Sequence, residues 1–359
     1  MTGRLQNYIG GAFVDSESEE SIDIINPADE SVVAVSPVST AAEVSAAIDA
    51  AENARIAWST STPKTRAGVL LKLADAVEEH ADEIVAAQIR NTGQLRAFVK
   101  SEEVLVSADQ LRFFAGAARL LEGKSAGEYM EGFTSYIRRE PIGIVGQVTP
   151  WNYPFMMAIW KIGPALAAGN TIVLKPSDTT PESTIVLARI SQGIIPDGVF
   201  NVVLGTGATG AQLVSDPRLG LVSITGSVRA GIAVAAAAAA DVKRAHLELG
   251  GKAPAVVFAD ADVEAGDLTL TFTDVTAEDN DDGTVTYTIQ LTERADITQR
   301  RTQDAPIYGV GARFATVLPF DAATGQVFPS LTEDWTPHRA YTVQMTTTVD
   351  GHTYEMPIN

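Results

Sequence analysis

The segment from Ile142 to Thr180 has the residue pattern of a strand, a turn, a helix and a second strand. Residues 142–148 and 171–174 are short apolar runs, as expected of strands that are buried on both faces. Residues 156–168 are apolar around most of a helical circumference, and the pair Gly169-Asn170 ends that run. The segment therefore predicts two parallel strands joined by a crossover helix.

Polar residues follow both predicted strands. Asn152 comes after the first strand, and Lys175, Ser177 and Asp178 come after the second. In open α/β sheets, ligands bind at the carboxyl ends of the strands. The sequence therefore places a candidate binding site at this edge of the sheet.

The same alternation continues along the chain. Further strands are predicted over 199–204, 221–224, 243–249 and 254–258, and further helices over 181–190, 208–213 and 227–240. The region before them predicts strands at 7–14 and 21–25, helices at 41–58, at 63–90 with a break, and at 101–121, and a hairpin over 128–141 with Gly132 in its turn. This spacing predicts an α/β fold with a doubly wound, Rossmann-like parallel sheet in a domain covering residues 1–265.

The pattern changes from Gly266 onward. Alternating apolar and threonine residues replace the helical periodicity, and Asp282-Gly283 and Asp350-Gly351 are hairpin turn signals. Residues 266–359 are therefore predicted to form a separate all-β segment of unknown type. The acidic run 278–282 admits a calcium site, but its spacing differs from an EF-hand loop, and a solvated turn is the simpler interpretation.

Composition limits the partners. The net charge of −19 disfavours nucleic acid and anionic membranes. No apolar run is long enough to span a membrane, and the N-terminus lacks the pattern of a signal peptide, so a cytoplasmic location is expected. The four histidines are scattered, and no metal site is predicted. The chain contains no cysteine, which excludes disulfides and a thiol nucleophile within it.

Two glycine motifs indicate a nucleotide site. Residues 205–210 match GxGxxG after a strand, which is weak evidence alone because glycines also serve tight turns. The second motif, Gly226-Ser227 with Gly231 following, lies where a strand becomes a helix. The free N–H groups of a helix start favour a pyrophosphate there.

Three motifs, TPWNYP, ALAAGNTIVLKPSD and LELGGKAP, resemble those of the aldehyde dehydrogenase superfamily, in the family's order. The resemblance covers about Asn7 to Ala265 and is greatest to the aminoaldehyde branch, the γ-aminobutyraldehyde and betaine aldehyde dehydrogenases. It implies a dinucleotide-binding domain, and a hairpin at 128–141 used in assembly of a homo-oligomer. An ordinary surface hairpin is the alternative, and the oligomer itself is in doubt for this chain.

The resemblance also implies a cofactor site. Trp151, Lys175 and Asp178 would line it, and Ser227 would contact the pyrophosphate. Asp178 stands where NAD-preferring members usually have Glu; a carboxylate there accepts from the ribose 2′-OH and repels a 2′-phosphate, so NAD is expected over NADP. The full predicted set is Thr149, Pro150, Trp151, Lys175, Ser177, Asp178, Gly207, Gly210, Gly226, Ser227, Leu249 and Gly250.

Two catalytic residues are implied by the same resemblance. Asn152 would stabilise an oxyanion, and Glu248 would act as general base for water, although a lone Glu on a strand can also be a structural acceptor. The family's cysteine would lie some thirty residues after Glu248, where this chain has Asn280 to Gly283. We therefore expect an NAD-dependent aldehyde dehydrogenase by family that is catalytically incomplete.

Two alternatives stay open. One is an NAD-binding pseudoenzyme or binding module, in which the β-rich segment binds a protein or carbohydrate. The other is a truncated or chimeric chain without a function of its own, which the abrupt change near Ala265 favours.

Overall fold

The computed structural model describes residues 3–250 throughout, and beyond them the backbone of 271–279, 285–292, 320–321, 326–327, 341–349 and 352–358. The chain divides into two compact units, Met1–Gly251 and Lys252–Asn359. The predicted boundary near Ala265 and the predicted strand at 254–258 lie outside the described residues and stay predictions.

The first unit contains helices in the predicted order. They are α1 Ala41–Ser59, α2 Pro63–Glu79, α3 Ala81–Thr92, α4 Arg96–Phe98, a π-helix Val99–Val104, α5 Leu105–Ala117, α6 Pro154–Ala167, α7 Glu182–Ser191, α8 Gly207–Ser215 and α9 Val228–Ala240. The predicted helix at 101–121 is wrong at both ends, because helical structure already begins at Arg96 and passes through a π-helix. It also stops at Ala117, before the glycine-containing segment that follows.

The strands of the first unit are mostly short. They are β1 Gly3–Arg4, β2 Asn7–Ile9, β3 Ala12–Val14, β4 Ser21–Ile25, β5 Val32–Pro37, β6 Gly127–Met130, β7 Phe133–Ser135, β8 Ile144–Val148, β9 Thr171–Lys175, β10 Phe200–Val202, β11 Leu219–Gly226 and β12 Arg244–Leu249. The predicted hairpin corresponds to β6 and β7, with Gly132 at φ +79° in its turn, but residues 136–141 after β7 are not strand.

A seven-stranded sheet organises this unit, with strand order β12-β11-β8-β9-β10-β2-β3. The five strands from β12 to β10 are parallel, as predicted. β2 pairs antiparallel with β10, and β3 pairs antiparallel with β2, so the N-terminal strands extend the sheet at one edge. The α/β doubly wound fold class is therefore confirmed.

The core lies on both faces of this sheet. Ile172 and Leu174 of β9 belong to one buried apolar cluster, which includes residues of α2, α3, α5, α6 and α7. Val173 belongs to the other, which includes residues of α1, α8 and α9. Alternate side chains of one strand thus enter different layers, which explains why its sequence is continuously apolar.

The second unit is described only as strands: β13 Thr271–Asp279, β14 Val285–Thr292, β15 Phe320–Asp321, β16 Gln326–Val327, β17 Tyr341–Val349 and β18 His352–Ile358. β13 and β14 pair antiparallel, as do β17 and β18, while β14 and β17 pair in parallel. The predicted turn residues 282–283 and 350–351 and most of the acidic run 278–282 lie outside the described residues.

In the part of the chain that the structure describes, no helix is long and apolar enough to cross a membrane.

Candidate dinucleotide and catalytic site

Five chain segments that carry predicted site residues leave the same edge of the sheet. Because β8, β9, β10, β11 and β12 are parallel neighbours, their carboxyl ends all point to that edge. The segments there are 149–153, 175–180, 203–210, 226–227 and 249–250. The fold therefore brings together residues that are up to a hundred positions apart in sequence.

Lys175 is the most buried charged residue of this edge. It is the last residue of β9, is only 4% exposed, and its ammonium nitrogen has no hydrogen-bond partner among the described residues. Burial lowers the pKa of Lys175 below its usual value, and the nearby carboxylate of Asp178 opposes that shift. A buried ammonium without a hydrogen-bond acceptor is costly, so this position favours an anionic or hydroxyl-rich ligand.

The start of α9 supplies an anion-binding element. Ser227 caps the helix, and its Oγ accepts a hydrogen bond of 3.2 Å from the N–H of Ala230. The helix start directly follows Gly226, the last residue of β11. The remaining free N–H groups of the first turn and the helix dipole favour a negatively charged group there.

Glycine is sterically required at only some of the predicted positions. Gly205 has φ +143°, and a Cβ there would lie 2.2 Å from Thr209 Oγ1. A Cβ on Gly207 would meet nothing within 4 Å, and one on Gly210 would make ordinary contact, 3.7 Å from Lys175 Cδ. The GxGxxG motif is therefore placed at the edge, but Gly205 is the residue that its turn requires.

Helix α8 follows this turn. Thr206, which the sequence interpretation did not select, caps α8 by accepting from the N–H of Ala208 at 3.2 Å. A threonine immediately before the first residue of a helix is a recognisable capping signal.

The segment after β8 presents one exposed and one buried side chain. Trp151 is 60% exposed, whereas Thr149 is buried and its Oγ1 has no hydrogen-bond partner in the described structure. The backbone N–H of Thr149 donates to the carbonyl oxygen of Lys175 at 3.2 Å, which holds the two segments together. Asn152 is exposed, and its backbone carbonyl accepts from Gln94 Nε2 at 3.0 Å.

Comparison with known proteins now identifies the fold. The model of the aldehyde dehydrogenase family matches residues 13–271. The chain belongs to the aldehyde dehydrogenase family.

Solved structures agree with that assignment. Lactaldehyde dehydrogenase from Escherichia coli is 39% identical, with a TM-score of 0.70, over 74% of this chain and 56% of that one. PnpE from Pseudomonas sp. WBC-3 is 41% identical, with a TM-score of 0.70, over 73% and 54%. An aldehyde dehydrogenase from Bacillus cereus, solved as an NAD⁺ complex, is 34% identical, with a TM-score of 0.69, over 73% and 54%. This chain therefore spans about half the length of the structures that it matches.

Glu248 lies on β12, which is an edge strand of this aldehyde dehydrogenase sheet among the described residues. Its side chain is 65% exposed, and its Oε1 lies 3.4 Å from His246 Nε2. His246 Nδ1 in turn lies 3.0 Å from Ser223 Oγ, which accepts a hydrogen bond of 2.8 Å from Lys161 Nζ. These four polar side chains form a continuous row from the core to the surface.

Lys161 is the buried end of that row. It lies on α6, and burial lowers the pKa of Lys161 to about 8, opposed by the charge of Glu248. The sequence interpretation selected neither Lys161 nor Ser223. A lysine inside an otherwise apolar helix is the signal that could have found it, because such a residue needs a buried polar partner.

A second polar group lies beneath the segment that carries Asn152. Gln88 accepts from the N–H of Phe155 at 3.3 Å and donates to Gln94 Oε1 at 2.8 Å; Gln94 donates to Glu103 Oε1 at 2.9 Å. Glu103 is fully buried in the π-helix, and its Oε2 has no partner among the described residues. This group ties the start of α6 and the backbone of Asn152 to the core of the chain.

Burial raises the pKa of Glu103 to about 7, and the amides of Gln88 and Gln94 oppose that shift. The sequence interpretation missed this group. Its signal is an acidic residue on an apolar helical stripe, with Val99 four residues before Glu103 and Ser107 four after it, all buried.

The remaining predicted cofactor residues lie at the same edge with few internal contacts. Ser177 Oγ is 3.1 Å from Thr179 Oγ1, and the N–H of Gly250 donates to the carbonyl of Gly226 at 3.1 Å. Leu249 packs near Gly231, where a Cβ would lie 2.4 Å from Leu249 Cδ2. Within residues 3–250, no group of three metal-ligating side chains occurs.

Proposed function

We propose that this chain binds NAD at the carboxyl edge of its sheet and is an oxidoreductase by descent. The observation that carries the proposal is Lys175, a buried ammonium with no acceptor among the described residues, at the edge where α8 and α9 begin. Its unused donors suit ribose hydroxyls or phosphate oxygens. NAD would supply a hydride acceptor when bound.

The fit of a dinucleotide rests on complementary groups at that edge. The start of α9 offers free N–H groups for a pyrophosphate, and Ser227 orders the first turn. Trp151 offers an exposed aromatic face, and Thr149 Oγ1 is a buried hydroxyl still without a partner. The absence of bulk at Gly207 and Gly226 leaves the backbone open to a close approach.

Asp178 supports NAD rather than NADP. Its carboxylate is close enough to Lys175 to affect the pKa of that lysine. A carboxylate in this position would accept from the 2′-OH of a ribose and repel a 2′-phosphate. We therefore include a preference for NAD over NADP in the proposal. We also include an aminoaldehyde as the ancestral substrate, as in the aminoaldehyde branch of the family.

Asn152 and Glu248 are proposed as the residues that act on an aldehyde group. The Asn152 amide has no internal side-chain hydrogen bond among the described residues, so its N–H₂ is available to a developing oxyanion. Glu248 is exposed, and its Oε1 lies 3.4 Å from His246 Nε2, an arrangement that suits a base for water. In this chain both residues would bind and orient groups, since no cysteine is present to attack an aldehyde.

A second candidate function follows from that absent thiol. The chain would then be an NAD-binding pseudoenzyme or binding module, or a truncated or chimeric form without activity. The cysteine count of zero is the specific observation that favours this alternative. A pseudoenzyme or binding module would keep the proposed NAD site and cytoplasmic location, whereas a truncated or chimeric chain could carry the motifs without forming the site.

A thermal-unfolding titration with NAD tests the proposal. A ligand that binds only the folded state stabilises it by about 2.7 kcal/mol at one hundred times its dissociation constant, so the midpoint must rise. We expect Lys175→Ala to abolish most of that rise, because it removes the buried cation, and Lys72→Ala, an exposed lysine of α2, to leave it intact.

Two further measurements separate the alternatives. NADH formation on addition of aminoaldehydes would contradict catalytic incompleteness. A midpoint that NAD leaves unchanged in the unaltered chain would overturn the cofactor site itself. If Lys175→Ala and Lys72→Ala reduced the NAD-induced rise of the midpoint equally, the effect would come from the net charge of the chain rather than from the buried lysine.

A further inference from the structure

A cavity that contains none of the predicted cofactor residues is lined by four arginines. It has a volume of about 370 Å³, and its lining includes Arg66, Arg119, Arg138 and Arg139, which we call the arginine cavity. The other lining residues are neutral and include Pro63, Leu121, Tyr136 and Ile137, with no carboxylate among them. In a chain with net charge −19, such a concentration of positive charge requires an explanation.

Arg66 is the buried member of this group. It is only 7% exposed, its Nε donates to the carbonyl of Ala167 at 2.8 Å, and its Nη1 donates to the carbonyl of Ser61. Within residues 3–250, it forms no ion pair, and its Nη2 has no hydrogen-bond partner. Burial lowers the pKa of the Arg66 guanidinium below its usual value, as expected for a charge without a counter-ion.

Helix α2 adds to the positive potential of the cavity. Pro63 is its first residue and Arg66 lies in its first turn, where the helix dipole is positive. No acidic residue occupies that turn. A cation at this helix end is unfavourable by itself, and an anion in the cavity would compensate both charges.

The walls of the cavity are held together by specific contacts. Arg139 Nε donates to the carbonyl of Glu122 at 2.9 Å, which joins the segment after α5 to the segment after β7. A Cβ on Gly123 would lie 2.2 Å from the carbonyl oxygen of Ile137, so only glycine permits this approach. The cavity therefore results from packed backbone rather than from side chains that happen to converge.

Two of the arginines keep donors available for a ligand. The guanidinium of Arg119 forms no hydrogen bond or ion pair with a described residue, and that of Arg138 has only an exposed contact of 3.3 Å with Glu140. Surface pairs of this kind contribute little energy and are easily exchanged.

We propose that the arginine cavity binds the phosphate group of a small molecule. Several guanidinium groups around one cavity can each donate two parallel N–H bonds to an oxyanion. A doubly charged phosphate has enough oxygens to accept from more than one of them, whereas a carboxylate is occupied by a single arginine. Leu121, Tyr136 and Ile137 offer an apolar wall for a short organic group attached to that phosphate.

Inorganic phosphate and phenyl phosphate are the probes for the test, with benzoate as a singly charged control. The binding constants are measured by ³¹P NMR for the two phosphates and by ¹H NMR for benzoate. The unfolding midpoints are measured at constant ionic strength with chloride as reference. We expect phosphate to raise the midpoint and Arg119→Gln to weaken phosphate binding at least about fivefold, since one charge-assisted contact is lost. The Arg119 side chain has no hydrogen bond among the described residues to break, so we expect the variant to keep its fold.

Matched variants make the result specific. Arg96→Gln changes an exposed arginine outside the cavity and should leave phosphate binding unchanged. Lys175→Ala should also leave it unchanged, which separates this site from the proposed NAD site. Phosphate binding that survives Arg119→Gln combined with Arg138→Gln, or that disappears in Lys175→Ala, would overturn the proposal.

The same titration tests whether the bound phosphate carries an organic group. Tighter binding of phenyl phosphate than of inorganic phosphate would identify a phosphate ester as the ligand. Equal binding would identify free phosphate. Benzoate binding as strong as phosphate binding would contradict the preference for a doubly charged group.

Discussion

Strands β9 and β12 lie in the same parallel sheet and both carry predicted site residues, yet their surroundings differ. Every residue of β9 is buried, including Lys175 at its end. On β12 five of six residues are exposed, including Glu248, and among the described residues β12 is the edge strand of the sheet. The candidate site therefore has a buried half at β9 and an open, solvent-exposed half at β12.

This difference decides what each polar residue can contribute. A charge at Lys175 has lost its water and gains most from a ligand that supplies acceptors. The Glu248 carboxylate stays hydrated, so a contact with it adds little to the affinity of a ligand. Its contribution would therefore be to the chemical step rather than to binding. The ligand affinity is therefore expected to come from the β9 side, and the following predictions test how sharply the two halves differ.

The largest expected effect concerns the strands themselves. Leu174 of β9 is fully buried in the larger apolar cluster, whereas Leu247 of β12 is only partly buried against the other. We expect Leu174→Ala to lower the free energy of unfolding by about 4 kcal/mol and Leu247→Ala by about 1 kcal/mol, since the cavity left behind scales with burial. Denaturant unfolding of both variants measures this directly, and similar losses in the two would contradict the distinction between the halves.

The next effect concerns pH and the buried group beneath Asn152. The pKa of Glu103 is raised from 4.5 to about 7 in the folded state, so this state binds a proton more tightly than the unfolded chain. The stabilisation is complete below pH 4.5 and is lost as the pH rises through 7. The total change is about 3 kcal/mol at 1.36 kcal/mol per pKa unit.

Glu103→Gln removes this titration and keeps the shape of the side chain. We therefore expect the stability difference between the unaltered chain and Glu103→Gln to fall as pH rises from 4.5 to 7.5, measured by denaturant unfolding. Glu79→Gln, at an exposed position of α2, serves as control and should show no such slope. A flat difference for Glu103→Gln would mean that this carboxyl keeps its usual pKa.

The contrast between the halves also explains what sequence could predict. The apolar run 171–174 and the Gly169-Asn170 pair before it identified β9, and the motif order brought Lys175, Asp178 and Ser227 to one edge. Helix α6 began two residues earlier than predicted, at Pro154, because proline fits the first helical position.

What sequence could not predict is which polar residues lose their water. Gln88 and Glu103 are polar residues of the kind that usually lie on a solvated helix face, and the packing of α3, the π-helix and α6 buries them. Sequence alone likewise cannot distinguish Gly205 from Gly207. The backbone shows that Gly205, at φ +143°, is the one whose conformation requires glycine. The exposure of β12 depends on what lies beyond the sheet edge, which no local pattern specifies.

The smallest effect is expected at Glu248, and it is best judged against a buried glutamate. Glu182 is 8% exposed and accepts from Arg90 Nη2 at 2.7 Å and Asn91 Nδ2 at 2.6 Å, whereas Glu248 has one contact of 3.4 Å with His246. We expect Glu182→Gln to lower the free energy of unfolding by about 2 kcal/mol, because a charge-assisted pair inside the protein is lost. Glu248→Gln should change it by less than about 0.5 kcal/mol, as for other exposed ion pairs. A loss at Glu248 equal to that at Glu182 would show that β12 is covered in solution, and the open half of the site would then be as buried as the half built on β9.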